Sequence, residues 1–154
     1  MGLTLLAVVA AVLTCSLEAV PPYRAGEPVP VRFRLRNRGR LPFAVLNWNT
    51  PLEGLLADTF AIRRAGGARL PWNGPTIKRG DPEAEEYVTV AAGGDVTADV
   101  DLALGYDIRA AGRYSIGLRL RLHDVAAPGA EIPRPRSRHA SRSLDCGRLE
   151  IVVR

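Results

Sequence analysis

Apolar and polar residues alternate along most of the chain, in short runs punctuated by glycine and proline. Val29, Val31, Phe33 and Leu35 alternate with Pro30, Arg32, Arg34 and Arg36. That period of two predicts a strand with one buried face and an arginine face turned outward. Asn37 to Arg40 then reads as a turn. Phe43 to Trp48 predicts a second strand with blurred alternation, and Phe60 and Ile62 belong to a third. Gly66-Gly67 ends it in a pair that suits a tight hairpin, because glycine takes positive φ freely, and Arg69 to Trp72 is expected to return beside it. Tyr87, Val88 and Val90 make another strand before Gly93-Gly94. Val96, Ala98, Val100 and Leu102 alternate with Thr97, Asp99 and Asp101. The longest run is Arg113 to His123, with Tyr114, Ile116, Leu118, Leu120 and Leu122 on one side. Leu149 to Val153, after Cys146-Gly147, is the last.

No window combines helical spacing with caps, so the pattern predicts an all-β chain. Short strands with frequent turns point to an immunoglobulin-like antiparallel β-sandwich of about seven to eight strands. The 154 residues fit one domain, assigned to residues 15–154. Tyr114, just inside the longest strand, is either a tyrosine corner bonding an upstream backbone group or a plain core aromatic. Residues 126–143, rich in proline, arginine and serine, lack periodicity and read as a long surface loop, functional or flexible.

The uncharged apolar stretch Met1 to Thr14 is shorter than the roughly 20 residues a membrane span needs. It reads as the apolar part of an export signal, although the usual positive start is missing. Residues 1–14 are therefore either leader, from a start that is truncated, or partly the first strand. The two cysteines, Cys15 and Cys146, lie near opposite ends. In an exported chain an even pair predicts a disulfide, and two cysteines without neighbouring histidines do not make a zinc site. The expected location is outside the cytoplasm: extracellular, periplasmic or at the cell envelope.

Composition changes this picture little. The net charge of +5 is almost all arginine, with Lys78 the single lysine. Because the arginines alternate with apolar residues and do not interleave with exposed aromatics, they read as the solvent faces of sheets. Nucleic acid is not expected as a partner.

Catalytic signatures are missing. The histidines, His123 and His139, belong to no H-E-x-x-H, and there is no G-x-S-x-G or phosphate-cradling glycine loop. Neighbouring His123 and Asp124 should face opposite sides of a strand, which argues against an acid–base dyad and for a surface histidine. The acidic run Asp81 to Glu86 is broken by Pro82 and Ala84 and reads as a solvated loop. The chain is thus expected not to be an enzyme and to use no cofactor or metal.

Three loops are richer than connection requires. Asn47 to Gly54 carries Trp48, Asn49 and Glu53; Trp72 to Gly80 carries Trp72, Lys78 and Arg79; Leu104 to Asp107 carries Tyr106. Their Asn, Asp and Thr side chains suit turns that bond their own backbone. Their tryptophan, tyrosine and arginine suit a binding surface. Both readings stand at this point, and those seven residues are the candidate binding surface.

The same loops carry a resemblance. Arg24 to Val29, Leu46 to Gly54, Gly74-Pro75 with Lys78-Arg79-Gly80, Tyr106-Asp107 and Gly112-Arg113-Tyr114 are similar to one region of a known family. It is the immunoglobulin-like domain preceding the catalytic domain in deuterolysin and peptidyl-lysine metalloendopeptidase relatives. The resemblance covers about residues 15 to 123. Those proteases place a zinc-binding H-E-x-x-H helix after this domain, and this sequence contains none. The resemblance therefore implies the accessory or pro-region fold, with no catalytic residue carried over. It implies a non-catalytic module that inhibits, chaperones or docks a zinc metalloprotease, with Lys78 offered to a lysine-preferring partner. The competing expectation is an envelope-associated structural sandwich that uses its arginine face on anionic polymers.

Overall fold

The computed structural model describes residues 12–154; most of the apolar stretch read as a leader lies outside them. Within that range the chain is all-β, with nine strands in antiparallel sheets, close to the seven or eight expected. They are β1 (Leu13–Ala19), β2 (Pro30–Asn37), β3 (Phe43–Leu46), β4 (Phe60–Arg64), β5 (Tyr87–Val90), β6 (Asp95–Asp101), β7 (Gly112–Leu122), β8 (Val125–Ala126) and β9 (Arg142–Val153). One sheet has the order β1-β2-β6. The second is β4-β7-β9 and the third β5-β3-β8, the chain passing from the one to the other between β7 and β8.

Alternation placed the inner faces where the core needs them. Val31, Phe33 and Leu35 of β2 pack in one cluster with Phe60 and Ile62 of β4 and Ile116, Leu118, Leu120 and Leu122 of β7. Burying these side chains from both layers supplies the main driving force, about 1.5–3 kcal/mol for each fully buried aliphatic or Phe side chain. The two layers are also joined covalently. Cys15 on β1 and Cys146 on β9 form the expected disulfide, with Cα atoms 4.7 Å apart. After β1 the chain crosses sheets: Tyr23 pairs in parallel with Val153, and the Ala25 N–H donates to the Arg154 carbonyl at 2.8 Å.

Several elements differ from the sequence expectation. Of the two readings of residues 1–14, the one that makes the stretch partly the first strand holds for Leu13 and Thr14, which belong to β1, and Leu13 is buried in the core. The last strand begins at Arg142, seven residues earlier than Leu149, because a bulge lets the ladder continue through Cys146-Gly147. Gly147 sits at φ +82°, which is why glycine occupies the bulge. Arg69 to Trp72 forms no returning strand. Its backbone pairing with β4 stops at the Arg63–Arg69 bridge and one Leu70 N–H bond to Ile62, since Pro71 has no N–H to continue the ladder. Tyr114 fulfils both readings at once: it is buried, and its hydroxyl donates to the Ala110 carbonyl at 2.7 Å.

Candidate functional site

The loop between β3 and β4 is built by its own side chains. Thr50 Oγ1 donates to the Asn47 carbonyl at 2.8 Å and accepts the Leu52 N–H at 3.1 Å, capping the 3-10 turn Pro51–Glu53. Pro51 begins that turn with its φ already set. Asn49 takes the left-handed conformation, φ +54°, one that asparagine tolerates better than most residues. Its N–H donates to the Glu53 carboxylate at 2.5 Å. The tight loop turns Trp48 inward, where it is 3% exposed beside Leu46 and Tyr87.

Other loops close over this tryptophan. Its indole Nε1 donates to Glu86. The Arg79 guanidinium lies 5.0 Å above the ring, a cation–π contact, while Nη2 donates to both Glu53 oxygens at 2.5 and 2.7 Å. His123 and His139 meet the indole edge-on, with centroids 6.3 and 5.9 Å away. Both histidines of the chain thus converge on Trp48. Burial, followed by the charges of Arg121, His139, Arg79 and Arg136, pushes the His123 pKa below its ordinary value, so the ring is neutral at pH 7.

The Pro/Arg-rich segment is held onto this cluster and does not range freely. Arg134 forms a two-pronged ion pair with Asp124, whose side chain is fully buried. Asp124 also accepts the Tyr87 hydroxyl at 2.7 Å and the Ala140 N–H at 2.9 Å. Burial alone would raise the pKa of Asp124, but Arg134 and those two donors outweigh it and hold the carboxyl below its usual range. Burial and the same carboxylate push Tyr87 up to about 12. Arg136 reaches further: its N–H donates to Asp81 at 3.0 Å and its guanidinium to the Arg79 carbonyl at 3.0 Å. The acidic run is therefore no purely solvated loop, since Asp81 and Glu86 tie it down.

Trp72 anchors the opposite end of the Trp72–Gly80 loop. Its ring meets Tyr106 edge-on at 5.3 Å, and its Nε1 donates to the Pro75 carbonyl at 3.0 Å. Gly74 and Gly105 are required there, because a Cβ on either would fall 2.2 or 2.1 Å from the indole. Tyr106, 2% exposed, donates to Asp58 at 2.8 Å and accepts the Phe60 N–H at 3.1 Å. Burial, with Asp58 adding to it, raises its pKa well above the ordinary phenol range.

The seven candidate residues thus fall into two anchors and one tip. Trp48, Asn49, Glu53 and Arg79 form the first anchor; Trp72 and Tyr106 form the second. Buried Trp48 and Tyr106 are internal pillars, which corrects their placement on a contact surface. Between the anchors Ile77 is 44% exposed and Lys78 is exposed beside it. His123, His139, Glu86 and Asp124 also serve the first anchor; sequence reading set His123 on the surface, although its 75-residue distance from Trp48 hid only the contact, not the residue. Among the described residues no three His, Cys, Asp or Glu side chains converge as metal ligands. The arrangement immobilises a loop and presents a cation.

No protein-family model matches the chain. It is 33% identical over 103 residues to an extracellular protease of Aeromonas hydrophila, a match that covers 67% of this chain and 29% of that protein. The chain therefore corresponds to under a third of that relative's length. An X-ray structure of the Northeast Structural Genomics Consortium target SoR45 aligns over 90% of this chain and 83% of its own, at 10% identity and a TM-score of 0.35. By sequence the chain is similar to part of an extracellular protease. That extracellular relative and the disulfide are consistent with an exported protein, and no helix among the described residues is long and apolar enough to cross a membrane.

Proposed function

We propose that the chain is a non-catalytic, exported module resembling a metalloprotease pro-region, which docks on a lysine-preferring zinc metalloprotease and inhibits it through Lys78. The observation that carries this reading is the strapped loop: Trp72 holds one end, Arg79 with Glu53 and Trp48 holds the other, and Lys78 stands exposed between them. A loop fixed before binding loses little conformational freedom when it docks, which is how rigid inhibitory loops gain affinity. The likeness to part of an extracellular protease supports the class of partner.

The anionic-polymer reading has weaker support on the β2 face. There Arg32 and Arg34 are already engaged by Asp99 and Asp95, at 2.9 and 2.6 Å. The test is the residual activity of a lysine-specific zinc metalloendopeptidase on a lysine-containing peptide as purified chain is added. Dose-dependent loss of activity, relieved by Lys78→Ala, is expected. Unchanged activity at micromolar excess sinks the proposal.

A further inference from the structure

The outer face of β4-β7-β9 carries arginines that form no ion pair among the described residues. Arg113, Arg119 and Arg121 project from β7, with Arg63 of β4 opposite Ser115 and Arg148 of β9 opposite Gly117. All five are exposed, and none takes part in an ion pair among the described residues. The same face holds two carboxylates, Asp145 opposite Arg119 and Glu150 opposite Ser115. Two shallow grooves indent it. One, about 380 Å³, is lined by Arg119, Arg121, Ser143, Leu144 and Asp145. The other, about 420 Å³, is lined by Arg63, Arg113, Ser115, Arg148 and Glu150 among others.

We propose that this face is a docking surface for an acidic polypeptide segment, its carboxylates engaged by Arg113, Arg119, Arg121 and Arg148. Six residues along β7 separate Arg113 from Arg119 by about 20 Å, so a single small anion does not bridge the grooves whereas an extended chain does. Arg148 reaches across Gly117, its Nε 3.8 Å from where a Cβ would stand, so its guanidinium lies in the strip between them. A guanidinium fork matches a carboxylate in two-pronged geometry. The face is also mixed: Val152, 44% exposed, lies opposite Arg113, and Asp145 and Glu150 sit among the arginines. A lipid surface is flat and does not enter the two grooves, whereas an extended acidic chain lies along them. A polypeptide with acidic, basic and apolar side chains uses all three.

The surface is separate from the Lys78 loop, so one proposal can fail while the other stands. The probe is poly-L-glutamate, titrated calorimetrically against the intact chain. Binding should weaken steeply as salt rises from about 50 to about 300 mM, because screening shortens to a few ångströms. Arg113→Gln/Arg119→Gln/Arg121→Gln should weaken it by about tenfold or more, while Arg36→Gln/Arg38→Gln/Arg40→Gln, which removes the same charge elsewhere, changes it by less than about twofold. Unchanged thermal unfolding of both variants shows that folding is intact, and Lys78→Ala should leave this binding alone. No binding, equal loss in both triple variants, equally tight binding to phosphatidylglycerol vesicles, or self-association that depends on the same arginines would overturn the assignment.

Discussion

Two strands with nearly the same sequence pattern end in different electrostatic states. In β2, Arg32, Arg34 and Arg36 alternate with core residues; in β7, Arg113, Arg119 and Arg121 do the same. Strand β6 lies beside β2 and supplies Asp95 and Asp99, which take up all three β2 arginines at 2.6 to 3.8 Å. Beside β7, Arg113 and Arg121 face Val152 and Ser143, and Asp145, opposite Arg119, forms no ion pair with it. Alternation along one strand settles which face a side chain occupies. Charge state is settled by the neighbour across the ladder, which sequence alternation does not name. A third arginine setting lies at Arg134, whose partner Asp124 is buried outright.

The contrast depends on the two layers staying in register, and the disulfide between β1 and β9 joins them. Cys15→Ser/Cys146→Ser opens a loop spanning 131 residues. It should cost about 4–5 kcal/mol on the chain-entropy view, read from urea unfolding with and without reductant. Asp124→Ala tests the buried partner and should cost about 3–5 kcal/mol, because it strands the Arg134 charge. The pH dependence gives the sign independently. The folded Asp124 carboxyl titrates below the ordinary range, so its stabilisation is complete above the usual carboxylate pKa of about 4 and is lost as pH falls through the folded value. Asp124→Ala should flatten that acid limb of the stability curve.

How much of this was readable beforehand follows the same division. The inner faces of β2, β6 and β7 were legible because their alternation is unbroken. Strand β1 was obscured because an apolar leader-like stretch runs directly into it, and β8 is too short, at two residues, to carry a period. The first half of β9 has Leu144 as its only large apolar side chain before Cys146, and Gly147 interrupts its alternation. At the candidate site, turn chemistry gathered Trp48, Asn49, Glu53, Trp72, Lys78, Arg79 and Tyr106. Local sequence did not reveal that Trp48 and Tyr106 point inward, nor that His123 and His139 close on Trp48, since those contacts join separate loops.

Two smaller effects sharpen the comparison between the faces. Ser143→Asp places a carboxylate opposite Arg121 and should make the β7 face resemble the β2 face, weakening poly-L-glutamate binding about two- to threefold with little change in stability. At the bottom of the scale, Arg32→Ala should leave the thermal midpoint unchanged within error, because the Arg32–Asp99 pair lies in solvent. A marked loss of stability there would mean that the Asp95 and Asp99 ladder is structural and not merely neutralising.

The central claim, that this fold serves as a protease-binding module presenting Lys78 on a strapped loop, is tested most directly by light scattering on a gel-filtration column. The chain is mixed with a lysine-specific zinc metalloendopeptidase whose active site is intact. The account predicts a one-to-one complex with the wild-type chain and separate elution with Lys78→Ala. Separate elution of the wild type, or a complex that Lys78→Ala leaves intact, would contradict it.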